Sequence, residues 1–158
     1  MALFTGTFEN KVDKKGRVSL PADFRAELPD DGRRVVYVYP SPRDDALEAC
    51  DKTFMQRIVD SIEDAPLYSD EEDDLGASIV ANARKAQLDE TGRLVLPSDF
   101  AHLAGIDGTA TFVGRGSRFQ IWSPERFAEH SSRARQRVKG RTLPLRPKPG
   151  APSGNREG

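Results

Sequence analysis

Polar and apolar residues alternate in "RVSLP", where Val18 and Leu20 are set off by Arg17 and Ser19. That period of two predicts a strand with one face in a core and one outside. "RLVLP", from Arg93, predicts the same strand a second time. β-Branched and aromatic residues crowd "RRVVYVYP" (Arg33–Pro40) and are answered by "TATFVG" (Thr109–Gly114), and both predict strands. "DALEAC", around Ala46, corresponds in the same way to "RFQIW" (Arg118–Trp122). The period then changes. In "DKTFMQRIVDSIEDA" the apolar residues Phe54, Ile58 and Ile62 recur every fourth position, which predicts a helix. A further helix opens at "SPERFAEH", with Ser123 as N-cap and Pro124 as first helical residue. "DAPLYSDEEDDLG" predicts a loop and then the start of another helix.

These elements occur in one order, twice. "VDKKGRVSLPADF" at Val12–Phe24 returns 76 residues later as "LDETGRLVLPSDF" at Leu88–Phe100. That offset is far longer than a solenoid period, so it marks two copies of a domain. The predicted organisation is a first domain over 1–64, an acidic connection over 65–83, a second domain over 84–138 and a basic tail over 139–158 without regular structure. The expected fold class is α+β, mainly β: tandem duplicated β domains with short helices, packed as one pseudo-symmetric unit.

Most of the repeated letters have a structural reason. Asp13-x-x-Gly16 and Asp89-x-x-Gly92 fit a type I turn closed by a left-handed glycine, which forms a bulge in a hairpin. The Asp carboxylate accepts backbone N–H groups inside such a turn, and glycine adopts positive φ without steric penalty. Pro21 and Pro97 end a strand and pre-set a short helix; Asp23 and Asp99 fall in its first turn, and Phe24 and Phe100 face the core. Phe119, Ile121 and Trp122 are candidates for core or for a subunit contact.

The chain has 158 residues, 37% of them hydrophobic, and a formal net charge of −1. So low an apolar fraction favours oligomerisation, because subunit contacts then supply missing burial. The near-zero charge hides segregation. From Asp60 to Asp74 every charged residue is acidic, whereas from Arg133 onward Lys and Arg dominate. The acidic stretch lacks the spaced oxygens and Gly turn of a hard-cation loop and predicts a solvated face, not a metal site. The basic tail predicts phosphate attraction without sequence reading. The single cysteine, Cys50, excludes an intramolecular disulfide and reads as a small, partly buried hydrophobe in a reduced compartment. No apolar run is long enough to span a membrane and no secretory leader is evident, which predicts a cytoplasmic protein. The histidines, His102 and His130, have no nucleophile near them in sequence. There is no Gly-rich phosphate loop and no Cys/His metal spacing, so neither an enzyme, a cofactor, a metal nor a small-molecule substrate is expected.

Arg17 and Arg93 are not required by a turn. An exposed ion pair with Asp13 or Asp89 is one reading, worth roughly 0–1 kcal/mol. The other is a guanidinium fork on a rigid turn, suited to phosphate or guanine. "GTFENKVDKKGRVSLPADFRAEL", "LDETGRLVLPSDFAHLAGI" and "TFVGRGSRFQIWSPERF" together resemble the MraZ family of bacterial transcriptional regulators, encoded first in the division and cell-wall cluster. The repeated Asp-x-x-Gly-Arg is similar to that of swapped-hairpin (SpoVT/AbrB-like) regulators and related antitoxins. The resemblance runs from Leu3 to about Arg137. It implies two swapped-hairpin domains in one chain, a ring-shaped homo-oligomer, and repression through double-stranded DNA at repeated promoter boxes upstream of its own operon, in the nucleoid. It also places DNA contact on Lys14, Lys15 and Arg17, with Arg93 as the second-copy candidate, on turns formed by Asp13, Gly16, Asp89 and Gly92. "DKKGR" is cationic and "DETGR" is not, so the first tip is expected to read DNA and the second mainly to complete the fold and the ring. The alternatives are an antitoxin-type regulator of this fold and a ring-forming scaffold that binds protein through the acidic segment.

Overall fold

A computed structural model describes residues 2–30 and 34–150. Arg33, at the head of one predicted strand, and the tail beyond Gly150 lie outside the described residues.

The strands are β1 (Thr7–Lys11), β2 (Arg17–Ser19), β3 (Val35–Pro40), β4 (Leu47–Cys50), β5 (Arg84–Gln87), β6 (Arg93–Val95), β7 (Thr109–Gly114) and β8 (Phe119–Trp122). The helices are α1 (Ala22–Glu27), α2 (Lys52–Glu63), α3 (Asp70–Leu75), α4 (Ser98–Ala104) and α5 (Pro124–Val138). A π-helical turn (Gly76–Val80) continues α3 and is closed by the Ala81 N–H donating to the Gly76 carbonyl at 2.9 Å.

The chain forms a six-stranded antiparallel sheet in the order β1-β7-β8-β4-β3-β5 and a two-stranded ribbon, β2-β6. Read by copy, the order is palindromic about the β8/β4 seam, and its two outer strands have changed sides. β1 of the first copy pairs with β7 of the second, and β5 of the second with β3 of the first. The registers correspond: Phe8↔Phe112 matches Arg84↔Val38, and Thr111↔Trp122 matches Tyr37↔Cys50. The mainly β, duplicated architecture expected from the sequence is therefore present. The hairpin Asp13–Gly16 begins as the sequence suggests, with a bridge Val12↔Val18, but β2 then leaves β1 and pairs with β6. Exchange satisfies the ladder groups of each short strand with a partner from the other copy.

Alternation divides the sheet into two faces. Val36, Val38, Leu47, Ala49, Phe112, Phe119 and Ile121 pack against the layer that carries β2, β6, α1 and α4, with Val18, Leu20, Phe24, Leu94, Leu96 and Phe100. Phe24 and Phe100 are core residues, as are Phe119 and Ile121, and Trp122 is buried on the opposite face. Phe24 lies 5.3, 5.4 and 5.1 Å from the rings of Phe4, Phe8 and Phe119, so one side chain joins the first residues, an exchanged strand and the second copy. In the second copy Arg84 replaces Phe8. Its guanidinium sits 4.2 Å from the Phe100 ring centroid and bonds Asp99 through both Nη atoms, at 2.8 and 2.6 Å.

The other face carries α2 and α5. Asp51 caps α2 by accepting from the Phe54 N–H, and Ser123 caps α5 by accepting from the Arg126 N–H ahead of Pro124. Pro21 and Pro97 occupy the N-cap positions of α1 and α4, with extended ψ, one step ahead of the helical turn they set up. At the seam, Glu48 accepts from Tyr39 Oη, Ser41 Oγ, Arg118 Nε and Gln120 Nε2, each at 3.1 Å. Burial first, then the Glu48 charge, pushes the Tyr39 phenol well above its ordinary range. Cys50 is buried, and burial pushes its thiol up to about 12, as expected of a packing residue. Among the described residues no helix is long and apolar enough to cross a membrane.

Candidate nucleic-acid interface

Both Asp-x-x-Gly-Arg segments fold into the same turn. The Gly16 N–H donates to the Asp13 carbonyl and the Asp13 N–H to the Arg17 carbonyl, each at 3.0 Å, with Gly16 at φ +82°. Asp13 Oδ1 accepts from the backbone N–H of Lys15 and of Arg17 at 2.9 Å, and Oδ2 accepts Arg17 Nε at 2.6 Å. In the second turn, Asp89 Oδ1 accepts from the N–H groups of Thr91 and Arg93 and from Thr91 Oγ1, and Oδ2 accepts Arg93 Nε at 3.0 Å. The ion pair and the presented fork are thus two aspects of one geometry. Each Arg is held through Nε, and among the described residues no hydrogen bond is recorded from either terminal Nη of Arg17 or Arg93.

The turns are locked to the opposite copy. The Gly16 carbonyl accepts from the Leu96 N–H at 2.8 Å, and the Gly92 carbonyl from the Leu20 N–H at 3.0 Å. A Cβ on Gly16 would lie 2.7 Å from the Leu96 carbonyl oxygen, on a backbone already at positive φ. Gly16→Ala is therefore expected to destabilise the protein by about 1–3 kcal/mol. Chemical denaturation measures it, and a change below about half a kcal/mol would show that the turn relaxes freely.

The Asp89 carboxyl is held down to about 2, first by the Arg93 backbone N–H and then by the Thr91 hydroxyl; Asp13 is lowered in the same way, led by the Arg17 N–H. A depressed carboxylate stabilises the fold above its unfolded value of 3.8, and that contribution is lost as pH falls through about 2. We expect the protection of the Thr91 and Arg93 amides against hydrogen exchange, relative to the intrinsic rate at each pH, to fall between those values and Asp89→Asn to abolish that acid step. An unchanged step in the variant would assign it elsewhere.

Ribbon register decides where the arginines point. Val18 and Leu94 are paired and buried, so the flanking pairs Arg17↔Val95 and Ser19↔Arg93 lie on the opposite, solvent face. The structure therefore brings Arg17 and Arg93 onto one surface, with Lys14 and Lys15 exposed at one end and Glu90 and Thr91 at the other.

Sequence reasoning missed Arg25. It belongs to α1 of the first copy, yet its guanidinium occupies the space where a Gly92 side chain would begin, on the turn of the second. Arg25 and Arg34 line the cleft beside Glu90, Arg34 being paired with Asp30 at 3.3 Å. The equivalent position in the second copy is Ala101, in the cleft beside Lys14 and Lys15. Each tip is thus a composite. The second acquires from the other repeat a cation beyond its own Arg93, and only strand exchange discloses it.

Exchanged hairpins joined in a ribbon, with paired Asp-x-x-Gly-Arg turns on its outer face, define a tandem swapped-hairpin protein. The family described as "MraZ protein, putative antitoxin-like" matches twice, over residues 3–75 and 79–141. The transcriptional regulator MraZ of Beijerinckia indica is 38% identical over 152 residues, 96% of this chain and 93% of the relative. That of Rickettsia bellii is 35% identical over 147 residues, 92% and 98% of the two chains, and that of Pelagibacter ubique 36% over 136 residues, 86% and 88%. The chain belongs to the MraZ family.

Proposed function

We propose that this protein is a sequence-specific DNA-binding transcriptional regulator, a repressor acting on repeated boxes upstream of its own division and cell-wall operon from a ring-shaped homo-oligomer in the nucleoid. The observation that carries the reading is the shared solvent face of Arg17 and Arg93, flanked by Lys14, Lys15 and Arg25. A two-stranded ribbon fits the major groove, where an Arg fork reads the O6 and N7 of guanine. Lysines at its end meet phosphates, which position the ribbon without reading sequence. In this assignment the first tip carries most of the DNA contact and Arg25 supports the second.

One ribbon offers few phosphate contacts. Several ribbons on one assembly, over boxes at matched spacing, make the later contacts intramolecular and raise avidity roughly 10²–10⁴-fold. Titration of fragments carrying one or three boxes from upstream of the gene is the test. Three boxes are expected to bind far more tightly than one; equal affinity would refute the multivalent reading, and no preference over random DNA would refute sequence-specific binding.

A further inference from the structure

We propose that the groove between α2 and α3 is the docking site for the basic, leucine-bearing segment that follows α5 in a second copy of this chain. The inference deepens the self-association proposed above and rests on it. The groove, about 370 Å³, has Phe54, Ile58, Ile62 and Leu75 in its lining. Arg57 lines it too, held over the Phe54 ring at 5.3 Å. The loop that joins the two helices leaves Leu67 73% and Tyr68 88% exposed. Tyr68 also has φ at +66°, its N–H donating to Glu72 Oε1 at 3.2 Å. A bulky residue rarely adopts that conformation. Here it holds an aromatic ring in water.

The occupant is indicated by the other half of the molecule. The internal pseudo-twofold relates α2 to α5, and among the described residues no helix equivalent to α3 follows α5. Instead, the segment from Val138 to Gly150 is exposed throughout, with Leu143 at 80% and Leu145 at 85%. Bound as an extended strand, two leucines two residues apart point the same way, and Pro144 restricts the segment before it binds. Arg137, Lys139, Arg141, Arg146 and Lys148 surround them without an acidic residue. The α3 helix that walls the groove exposes Asp70, Glu71, Asp73 and Asp74. Apolar knobs on a cationic strand meet an apolar floor with an anionic rim. Because groove and segment are different surfaces, a contact that each copy passes on to the next is head-to-tail, the kind that closes rings or extends into filaments.

Light scattering on the full chain, on the chain ending at Val138 and on a Leu143→Asp, Leu145→Asp variant tests the proposal, together with titration of a labelled 138–150 peptide onto the shortened chain. The full chain is expected to be oligomeric and the other two to fall to smaller species. The peptide is expected to bind, and to bind at least tenfold more weakly to shortened chains carrying Tyr68→Ala or Glu71→Lys with unchanged melting temperatures. An assembled full chain whose shortened form keeps the same subunit number would overturn the docking inference alone, as would a peptide that fails to bind or binds the variants equally. A monomeric full chain would overturn the self-association reading with it.

Discussion

Arg17→Ala is expected to lower affinity for specific DNA by about 1–3 kcal/mol per engaged ribbon, roughly 5- to 150-fold, and by more where several ribbons bind one fragment. The expectation follows from the division of labour within the side chain: Nε is committed to Asp13 at 2.6 Å, which fixes the direction of the guanidinium and leaves its terminal nitrogens for a base or phosphate. Arg17→Lys keeps the charge and loses the fork, so it should preserve the salt dependence while relaxing sequence preference. Lys14→Ala and Lys15→Ala should weaken binding evenly across sequences and reduce the salt slope by about one unit per contact. Arg93→Ala should matter less, because its tip carries Glu90 and Thr91 where the first carries Lys14 and Lys15, although it shares the exposed face. Isotherms at two salt concentrations, with size-exclusion profiles of each variant, make the comparison. If Arg93→Ala abolished binding in an intact assembly and Arg17→Ala did not, the roles of the tips would be reversed.

The largest expected stability effect is at Phe24. Phe24→Ala should cost about 3–5 kcal/mol, through lost transfer energy and the cavity left among Phe4, Phe8 and Phe119. That is a large part of the 5–15 kcal/mol that holds a typical domain folded. Because those rings come from the first residues, an exchanged strand and the second copy, the loss should lower one shared transition instead of separating two. Denaturation followed by Trp122 fluorescence and by far-ultraviolet circular dichroism reads this directly. Trp122 lies in the second copy on the opposite face of the sheet, so a fluorescence midpoint unmoved by Phe24→Ala would show that the copies unfold independently.

Local chemistry was legible wherever a short run of residues settles its own geometry. The Asp-x-x-Gly turn needs only a carboxylate and a residue tolerant of positive φ, and both copies form it. The Ser123-Pro124 helix start, the period-four face of α2 and the period-two face of β2 were legible for the same reason: each depends on neighbours within a few positions. What joins distant positions was not. Nothing in "DKKGR" or "DETGR" indicates that β2 will abandon β1 for β6, because a three-residue strand satisfies its hydrogen bonds equally well with either partner. The choice falls to the core, where exchange places Val18 and Leu94 side by side under one sheet. The same exchange sets Arg17 and Arg93 on one face and carries Arg25 to a turn 67 positions away, a proximity that no spacing along the chain encodes. The sequence by itself determined the turns, caps, repeat and charge of each tip, since these are properties of adjacent residues. The tertiary structure alone decided which tips share a surface and whose cations they carry, since strand partnership is settled by burial summed over the whole chain.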